Sequence, residues 1–556
     1  PSPAGIWDVG TTNWNPDPVG EVTVAAWTPG INAIFAAGTD ATGAYSVTVD
    51  GSQDISGLLV EEGLVSLDDG TSGGLNMTAS STVLVAAGSD LNVNVPLTDA
   101  SGAEVLTKAG SGLLSLSADN SGATGGMALN GGVTRFDDSL TSINGTGANV
   151  LINGGGIASF GGTFLATDIP AALLRIDTAS TGTIAPDGYG STDFDFDTPG
   201  LASAYFGPIG TVNYTGTLTP AGTTYRLLGS GGTLTLNSAL TATNTLDVKG
   251  PGTLQFNGFD ATMGDLTSTG SPSLQNGSAT TDVTLSVDLS GSDRTYAGTF
   301  EDGGAATLGL TKNGSKQLTL TNNSAFTGNL TINGGTVQLG TNANTGSLNG
   351  GTYPGDMSIA AGSTFRDRSN NTVIMSGVIS GDGNLHQDGS GTMTLTGANT
   401  YTGQTSIFAT GGGGPKLSVS SLNSVTSPAQ MASSSLGVPS DAANGTILLG
   451  NPGNTRSCTL IYTGAGETTD RVMSVRFNSN ANHTIQNSGS GLLKFTSTFT
   501  ITPSSGNTSR ALYLRGAADG EIEGGLGATP LPGSLRKSDA GTWTIGGTNL
   551  ADTVIV

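Results

Sequence analysis

The stretch Leu310–Leu339, LTKNGSKQLTLTNNSAFTGNLTINGGTVQL, decides the fold. Within it, pairs of aliphatic residues alternate with small polar residues: Leu318 and Leu320, Leu330 and Ile332, Val337 and Leu339. Alternation with a period of two places one row of side chains inward and the other in water, as in a half-buried β-strand. Asn-Gly and Thr-Gly steps separate the pairs and are typical of turns. The stretch is therefore predicted to be a strand-turn-strand-turn-strand unit.

The same unit recurs along the chain. An earlier copy spans Leu106–Phe136, a degenerate copy begins at Leu385, and another begins at Leu535. Each copy is too short and too half-apolar to bury a core by itself, so neighbouring copies must stack. A period of roughly 20 to 30 residues is typical of the coils of a β-solenoid. The chain is therefore predicted to be all-β, with one elongated body that absorbs its 556 residues.

These copies resemble the autotransporter-associated β-strand repeat, a passenger-type repeat of long secreted and surface proteins of Gram-negative bacteria. The segment Leu385–Ile407 keeps most of the repeat pattern, with Gln387 in place of its lysine. The blocks Trp7–Trp14 and Tyr462–Arg471 are also similar to the family. The resemblance implies a right-handed parallel β-helix (β-solenoid) and an extracellular or cell-surface location, in bacteria such as the Verrucomicrobia and Planctomycetes. It implies no reaction.

The amino-acid composition limits the fold classes and the kinds of binding partner that are expected. The chain has 89 glycines, and only 11% of its residues are charged, so it is poor in the residues that fill helices. Hydrophobic residues make up 35% and stand at alternating positions, which favours ordered β structure over disorder. The net charge of -23 comes mainly from a shortage of basic residues. Nucleic acid is not expected as a partner, because no basic groove is present to neutralise phosphates.

The number of cysteines and the distribution of apolar residues indicate where in or outside the cell the protein is expected. The single Cys458 rules out an intramolecular disulfide framework and is predicted to be a small buried side chain. No apolar run reaches the roughly 18 residues that a membrane helix requires. The segment Pro1–Pro3 is interpreted as the start of a mature form after removal of a signal peptide.

Four segments are predicted along the chain. Residues 1–45 contain Trp7, Trp14 and Trp27, and we interpret them as an N-terminal cap or as a docking segment with tryptophan anchors. Residues 46–417 are predicted to be β-solenoid. Residues 418–440, which contain prolines, are predicted to be a loop excursion, and residues 441–556 a continuation of the solenoid with an open C-terminal edge.

The sequence gives little support for catalysis. Enzymes with this fold that cleave acidic polysaccharides need paired carboxylates around one bond. The Asp-Asp pairs are Asp68–Asp69 and Asp137–Asp138, and neither has companion catalytic motifs. Adjacent carboxylates in a strand also point to opposite faces. His386 and His483 lie far apart in sequence, so no catalytic residue and no cofactor is predicted, and the protein is expected not to be an enzyme.

One metal hypothesis comes from the run Asp193–Asp197. In a strand, Asp193, Asp195 and Asp197 would share one face and the two intervening phenylalanines would share the other. Three carboxylates on one face could bind calcium. The alternative is a solvated acidic face, in which like charges two residues apart are tolerated in water and salt.

The functional prediction is a structural extracellular protein that assembles head to tail into a fibre or surface coat. The predicted contact residues are tryptophans near the start and residues near the end of the sequence: Trp7, Trp14, Trp27, Trp543, Val554, Ile555 and Val556. An alternative is a surface adhesin or carbohydrate-binding passenger, with a cell-surface or extracellular polysaccharide as its partner. A polysaccharide-degrading enzyme is the third alternative.

Overall fold

The computed structural model describes most of the chain: residues 4–17, 22–35, 43–145, 147–240, 243–342, 346–411, 413–478, 480–502, 510–527, 529, 531–547 and 551–555. The chain divides into two compact units. One unit comprises residues 1–238 and 246–254, and the other comprises residues 239–245 and 255–556. The segment boundaries predicted from the sequence at 45, 417 and 440 stay predictions, since this division does not test them.

The first unit is built from short strands. In chain order they are β1 (Gly5–Trp7), β2 (Ile31–Phe35), β3 (Ala44–Val49), β4 (Ser52–Val60), β5 (Leu64–Asp69), β6 (Gly74–Val85), β7 (Asp90–Val93), β8 (Leu97–Asp99), β9 (Leu106–Ala109), β10 (Leu113–Leu116), β11 (Met127–Leu129), β12 (Gly132–Phe136), β13 (Val150–Ile152), β14 (Gly156–Phe160), β15 (Thr183–Ala185), β16 (Phe194–Asp195), β17 (Tyr205–Phe206), β18 (Thr211–Tyr214), β19 (Leu218–Thr219), β20 (Thr224–Leu228), β21 (Thr233–Leu236), β22 (Thr245–Lys249) and β23 (Thr253–Gln255).

Two long parallel sheets form the walls of the first unit. One runs in the order β1-β3-β5-β7-β10-β12-β14-β15-β17-β20-β22, and the other in the order β2-β4-β6-β9-β11-β13. From β1 to β14 the strands largely alternate between the two sheets, so each sheet gains strands from successive coils, whereas beyond β13 only the first sheet continues. The unit also contains the short helix α1 (Ile169–Leu173) and 3-10 turns at Leu140–Ser142 and Ala166–Asp168.

The second unit continues the same construction. Its strands are β24 (Ala261–Met263), β25 (Asp265–Thr269), β26 (Ser273–Gln275), β27 (Val283–Asp288), β28 (Arg294–Tyr296), β29 (Thr299–Glu301), β30 (Leu308–Asn313), β31 (Gln317–Leu320), β32 (Asn323–Ser324), β33 (Leu330–Ile332), β34 (Thr336–Leu339), β35 (Ser347–Leu348), β36 (Thr352–Tyr353), β37 (Met357–Ile359), β38 (Thr364–Asp367), β39 (Val373–Met375), β40 (Ile379–Ser380), β41 (Asn384–Gln387), β42 (Thr392–Leu395), β43 (Thr405–Ile407), β44 (Lys416–Val419), β45 (Ile447–Leu449), β46 (Thr459–Tyr462), β47 (Glu467–Thr469), β48 (Met473–Arg476), β49 (Asn482–Asn487), β50 (Leu493–Phe495), β51 (Thr500–Thr502), β52 (Ala511–Arg515), β53 (Gly520–Ile522), β54 (Leu531–Lys537), β55 (Trp543–Ile545) and β56 (Ala551–Ile555). The helical elements are α2 (Ala442–Gly445) and a 3-10 turn at Asn349–Gly351.

Four parallel sheets follow the coils of the second unit. Their orders are β24-β27-β30-β33-β37-β40, β28-β31-β34-β38-β41-β43-β45-β48-β51, β36-β39-β42-β44-β46-β49-β52-β54-β56 and β47-β50-β53-β55. In the first of these, Leu310 pairs with Leu330, Leu330 with Met357, and Met357 with Ile379. The corresponding sequence intervals are 20, 27 and 22 residues. The prediction of an all-β parallel β-solenoid is therefore confirmed.

Burial follows the alternation read from the sequence. In β33, Leu330 and Ile332 are fully buried, whereas Thr331 between them is half-buried on the outer side. Inward residues of successive coils therefore stack in rows, and the row of Leu310, Leu330, Met357 and Ile379 is apolar throughout. Such rows account for the stability of a fold whose coils cannot bury a core alone.

The glycines of the repeat lie where neighbouring coils approach closely. A Cβ placed on Gly391 would lie 1.7 Å from the carbonyl oxygen of Asn371 in the preceding coil. Gly314 in the equivalent turn has a φ of 74°, which few other residues adopt. Glycine is therefore required in these turns because neighbouring turns pack too closely for a side chain.

An excursion leaves the second unit between β44 and β45 and folds back onto it. The Glu467 carboxylate accepts the backbone N–H groups of Leu422 and Asn423 at 2.7 and 2.5 Å. Asp470 accepts the N–H groups of Val425 and Thr426 at 2.6 and 3.0 Å. Two carboxylates of the block 462–471 thus hold the start of the excursion, and burial raises the pKa of Glu467. Among the described residues no helix is long and apolar enough to cross a membrane.

Candidate functional site

Two lysines of the repeat lie inside the solenoid. Lys312 is fully buried, and its Nζ donates to the carbonyl oxygens of Asn313, Gly314 and Gly334 at 2.8, 2.8 and 3.0 Å. The first two oxygens belong to its own turn, and the third belongs to the turn of the next coil. The ammonium therefore ties two successive turns together. Burial lowers the pKa of Lys312 to about 8, because the charged form loses hydration.

The same arrangement occurs in the first unit. Lys108 is fully buried, and its Nζ donates to the carbonyl oxygens of Ala109, Gly110 and Gly131 at 2.9, 2.9 and 3.1 Å. Burial lowers the pKa of Lys108 to about 8 as well. An ammonium has three donors and no acceptor, so three convergent carbonyl oxygens satisfy it completely. We call this arrangement the corner lock.

Amide side chains take the place of lysine in two other corners. In the third repeat, Gln387 Nε2 donates to Gly389 O and Gly391 O at 3.4 and 3.1 Å. In a corner with a similar sequence, Asn487 Nδ2 donates to Gly491 O and Asp519 O at 2.9 and 2.6 Å. The position therefore requires a donor that can bridge turn carbonyls, and it is structural.

Aromatic residues near the start of the chain form a compact group, which we call the tryptophan cluster (Trp7, Trp14, Trp27 and Phe35). Trp14 packs 5.0 Å from Trp7 and 4.7 Å from Trp27 between ring centroids, and Trp7 lies 6.0 Å from Phe35. Trp7 is fully buried, Trp27 is 4% exposed and Trp14 is half-buried. This burial favours the cap interpretation for Trp7 and Trp27. Trp14 is the least buried of the three tryptophans.

A concave site adjoins the tryptophan cluster, and we call it the N-terminal pocket. Its volume is about 370 Å³. Its lining combines tryptophan rings with aliphatic and amide side chains, among them Ile31, Ile34, Asn13, Asn15 and Asn32. Several of the polar groups are held in place: Asn13 Nδ2 donates to Ile6 O at 2.8 Å and Asn15 Nδ2 to Val22 O at 2.9 Å. The pocket is therefore a mixed aromatic and amide surface with fixed side chains.

The predicted contact residues late in the chain lie around a second cavity, the C-terminal pocket, of about 350 Å³. Trp543, Ile545 and Val554 contribute to its lining. Trp543 Nε1 donates to Arg515 O at 3.1 Å, which fixes the indole ring. Val554 is 62% exposed and Ile555 43%. Val556 lies outside the described residues.

The aspartates of the calcium hypothesis alternate as predicted, because Phe194 and Phe196 are buried between them. Their oxygens accept backbone N–H groups: Asp193 from Thr217 at 2.6 Å, Asp195 from Asp197 at 2.9 Å, and Asp197 from Gly222 at 3.0 Å. The described part of the chain contains no group of three His, Cys, Asp or Glu side chains placed to hold a metal ion. Calcium binding here stays a prediction that the geometry does not favour.

The acidic pairs weighed for catalysis are tied into the solenoid wall. Asp68 accepts from Ser66 and Asn94, both at 2.7 Å, and Asp137 pairs with Arg135 at 2.6 Å. The histidines are bound to main-chain carbonyls: His386 Nε2 lies 2.9 Å from Phe408 O, and His483 Nε2 lies 2.9 Å from Arg476 O. None of these contacts brings a carboxylate and a histidine together.

Cys458 is buried, as predicted, and is 1% exposed. Burial raises the pKa of its thiol to about 12, so the thiolate needed for nucleophilic attack is not formed at neutral pH. Cys458 is therefore a packing residue.

Sequence reasoning missed several buried charged groups. Lys108, Lys312, Asp367 and Arg471 are each at most 1% exposed. For the lysines a signal was present, because the third residue of Leu-Thr-Lys falls on the inward row of the alternating pattern. For Asp367 the same signal was present, because it stands two residues after the inward Phe365. Arg471 has no such signal, since its partner Leu436 O lies 35 residues away in the chain.

Comparison with known proteins agrees with this geometry. The model of the passenger-associated-transport-repeat family matches residues 106–135, 310–339 and 385–412, which are the segments with Lys108, Lys312 and Gln387 at the corner. Three segments of the chain therefore carry this passenger-type repeat, which confirms the resemblance predicted from the sequence. The assignment to particular bacterial phyla stays a prediction.

A curated relative gives a more specific likeness. The chain is 28% identical over 343 residues to the Adhesin BmaC autotransporter of Brucella suis biovar 1 (strain 1330). The aligned region covers 60% of this chain and 8% of that protein, so the chain spans a small part of the relative's length. No solved structure matches the chain.

Proposed function

We propose that this chain is part of a surface-exposed passenger that acts as a non-enzymatic scaffold for adhesion. The observation that carries the proposal is the likeness over 343 residues to an autotransporter adhesin, in a chain whose repeats build a parallel β-solenoid. A solenoid gives reach and a regular surface, because each coil contacts mainly its neighbours and coils can be added without limit. Its outer rows of short polar side chains suit exposure to water.

Location and adhesion can be tested together. Antibodies raised against the purified chain are expected to label intact cells of the source bacterium without permeabilisation. Beads coated with the chain are expected to adhere to host cells or matrix more than beads coated with an unrelated β-solenoid. Labelling that appears only after permeabilisation contradicts the location, and equal adhesion of both bead types contradicts the adhesive role.

Saccharide binding at the N-terminal pocket is a second, finer proposal. The half-buried Trp14 lines this pocket together with the amides of Asn13, Asn15 and Asn32. Sugar rings present C–H faces to aromatic side chains and hydroxyls to amides. The net charge of -23 disfavours acidic polysaccharides, so the expected ligand is a neutral saccharide.

A glycan array followed by calorimetry tests this proposal. Trp14→Ala is expected to weaken binding of the neutral saccharide at least tenfold, while Trp543→Ala, at the other pocket, leaves binding unchanged. Absence of any bound glycan, or equal loss in both variants, contradicts a site at the N-terminal pocket.

Head-to-tail self-assembly is the finer form of the structural prediction and remains a proposal. The exposed Val554 and Ile555 lie on β56, and the exposed Ile31 and Ile34 lie on the edge strand β2. Apolar edge strands of two copies could pair by strand addition. Sedimentation velocity at rising concentration is expected to show growing species that are lost in the double variant Ile31→Asp with Ile34→Asp. A monomer at all concentrations contradicts the assembly.

A further inference from the structure

Two inward polar residues are stacked on neighbouring rungs of the second unit. Asp367 ends β38 and Gln387 ends β41, and the two residues are direct partners in the parallel register. Asp367 is fully buried and Gln387 is 1% exposed. Leu339 is the partner of Asp367 on the opposite side, so an apolar side chain lies beneath the carboxyl group.

The hydrogen bonds of this pair leave two oxygens without a donor. Asp367 Oδ1 accepts the N–H of Ser369 at 2.9 Å, and Gln387 Nε2 donates to Gly389 O and Gly391 O. Within the described residues, Asp367 Oδ2 and Gln387 Oε1 have no hydrogen-bond partner. Two buried acceptors on adjacent rungs are costly, since each forfeits the hydration that it has in the unfolded chain.

The charged groups nearby do not supply a donor to Asp367. The neighbouring Asp388 is fully buried, and its carboxylate accepts from Arg366 Nε at 2.7 Å, with Arg368 Nε at 3.6 Å. His386 lies on the outer face of β41, where its ring contacts Phe408. Both arginines therefore pair with Asp388, whose negative charge acts against ionisation of Asp367.

We propose that Asp367 is a neutral carboxylic acid in the folded protein at mildly acidic pH, and that its Oδ2–H donates to Gln387 Oε1. A single proton then satisfies both oxygens and joins two successive coils. This hydrogen bond forms only when Asp367 is protonated. It joins two coils at the corner where other repeats use a lysine. Burial, opposed in part by the Ser369 hydrogen bonds, raises the pKa of Asp367 to about 7.

The lock has a defined pH dependence. The folded-state pKa lies above the ordinary value of 3.8, so the stabilisation is fully present below the unfolded pKa and is lost as pH rises through about 7. Between these two values the opening constant of the corner is expected to rise about tenfold for each pH unit. Loss of the proton restores a buried carboxylate that faces the amide oxygen.

Hydrogen exchange of the segment 384–391 measures this opening, with rates corrected for intrinsic exchange at each pH. The ratio of protection in the natural protein to that in Asp367→Asn is expected to fall from pH 5 to pH 8, because the asparagine amide donates to Gln387 at every pH. Segment 106–113, in the other unit, serves as the internal control and is expected to be unchanged. A ratio that is constant with pH overturns the proposal.

A second variant keeps the test decisive if Asp367→Asn fails to fold. Gln387→Lys restores the lysine of the repeat and gives Asp367 a cationic neighbour, so protection at pH 8 is expected to rise and to fall on acidification. Infrared spectra of the natural protein at pH 6 are expected to contain the carbonyl band of a protonated carboxylic acid that Gln387→Lys lacks. Absence of that band, or an unchanged pH profile in Gln387→Lys, overturns the proposal.

Discussion

Replacement of Lys312 by methionine tests the corner lock. Methionine keeps the apolar stem of the side chain but removes the ammonium that bridges Asn313, Gly314 and Gly334. The Asn313 carbonyl also accepts the N–H of Leu289 at 3.0 Å, so the carbonyls of Gly314 and Gly334 are the ones that depend on the lysine. The change therefore leaves two carbonyl oxygens between neighbouring coils without a hydrogen-bond donor.

The expected cost follows from these two carbonyls. Leaving a buried acceptor unsatisfied costs about 1–3 kcal/mol, so two acceptors cost about 2–6 kcal/mol. Removal of a buried ammonium offsets part of this cost, because its desolvation penalty disappears. We expect Lys312→Met to destabilise by about 2–4 kcal/mol. Lys312→Gln is expected to cost roughly 1 kcal/mol, since Gln387 bridges the corner of the third repeat with an amide.

Local hydrogen exchange in β30 and β33, together with denaturant unfolding, measures the difference. Lys316→Met, at a half-buried position in the same turn, is the matched control and is expected to change stability by less than about 0.5 kcal/mol. The reasoning is refuted if Lys312→Met is as stable as the natural protein, or if Lys316→Met costs as much.

Two further changes test packing and titration. Gly391→Ala is expected to destabilise the protein by several kcal/mol, because the added Cβ would clash with the Asn371 carbonyl oxygen. Gly291→Ala is the control and is expected to be neutral, since its Cβ would meet no atom within 4 Å. Equal melting temperatures of the two variants would contradict the close approach at Gly391. Burial lowers the pKa of His483 to about 4, and its Nδ1 accepts the N–H of Cys458 at 3.2 Å. The stability contributed by neutral His483 is therefore expected to be lost as pH falls from about 6.5 to about 4. Amide hydrogen exchange in β46 is expected to become faster over this range, and an unchanged exchange rate would contradict the prediction.

The alternating rows were predictable because they are local. Leu330 and Ile332 are separated by one residue, and a strand puts such residues on one face whatever the rest of the fold does. The same rule placed Phe194 and Phe196 inward. The repeat spacing then indicated stacking, since no single unit could bury its own apolar row.

The features that could not be predicted depend on register between coils. The third acceptor of Lys312 is Gly334, 22 residues along the chain, and Asp367 and Gln387 are neighbours only because their strands pair. Likewise, the Glu467 carboxylate binds the N–H groups of Leu422 and Asn423, which lie 45 and 44 residues earlier in the chain. Sequence patterns fix which face a side chain occupies, and register fixes what it meets there.

Cross-linking of neighbouring coils tests the parallel register, on which the whole account depends. Thr331 and Ser358 are direct partners in adjacent strands, which lie about 4.8 Å apart. This separation falls within the range that a disulfide spans. In a Cys458→Ala background, the account predicts that Thr331→Cys with Ser358→Cys forms an intramolecular disulfide on mild oxidation, identified by peptide mass spectrometry.

The control pair is Ser286→Cys with Thr331→Cys. Ser286 pairs with Thr311 and Thr311 with Thr331, so the control positions are two rungs apart, about 10 Å, beyond the reach of a disulfide. Efficient cross-linking of the neighbouring pair and none of the control is the predicted result. Failure of the neighbouring pair, or equal cross-linking of both pairs, would contradict the parallel β-solenoid.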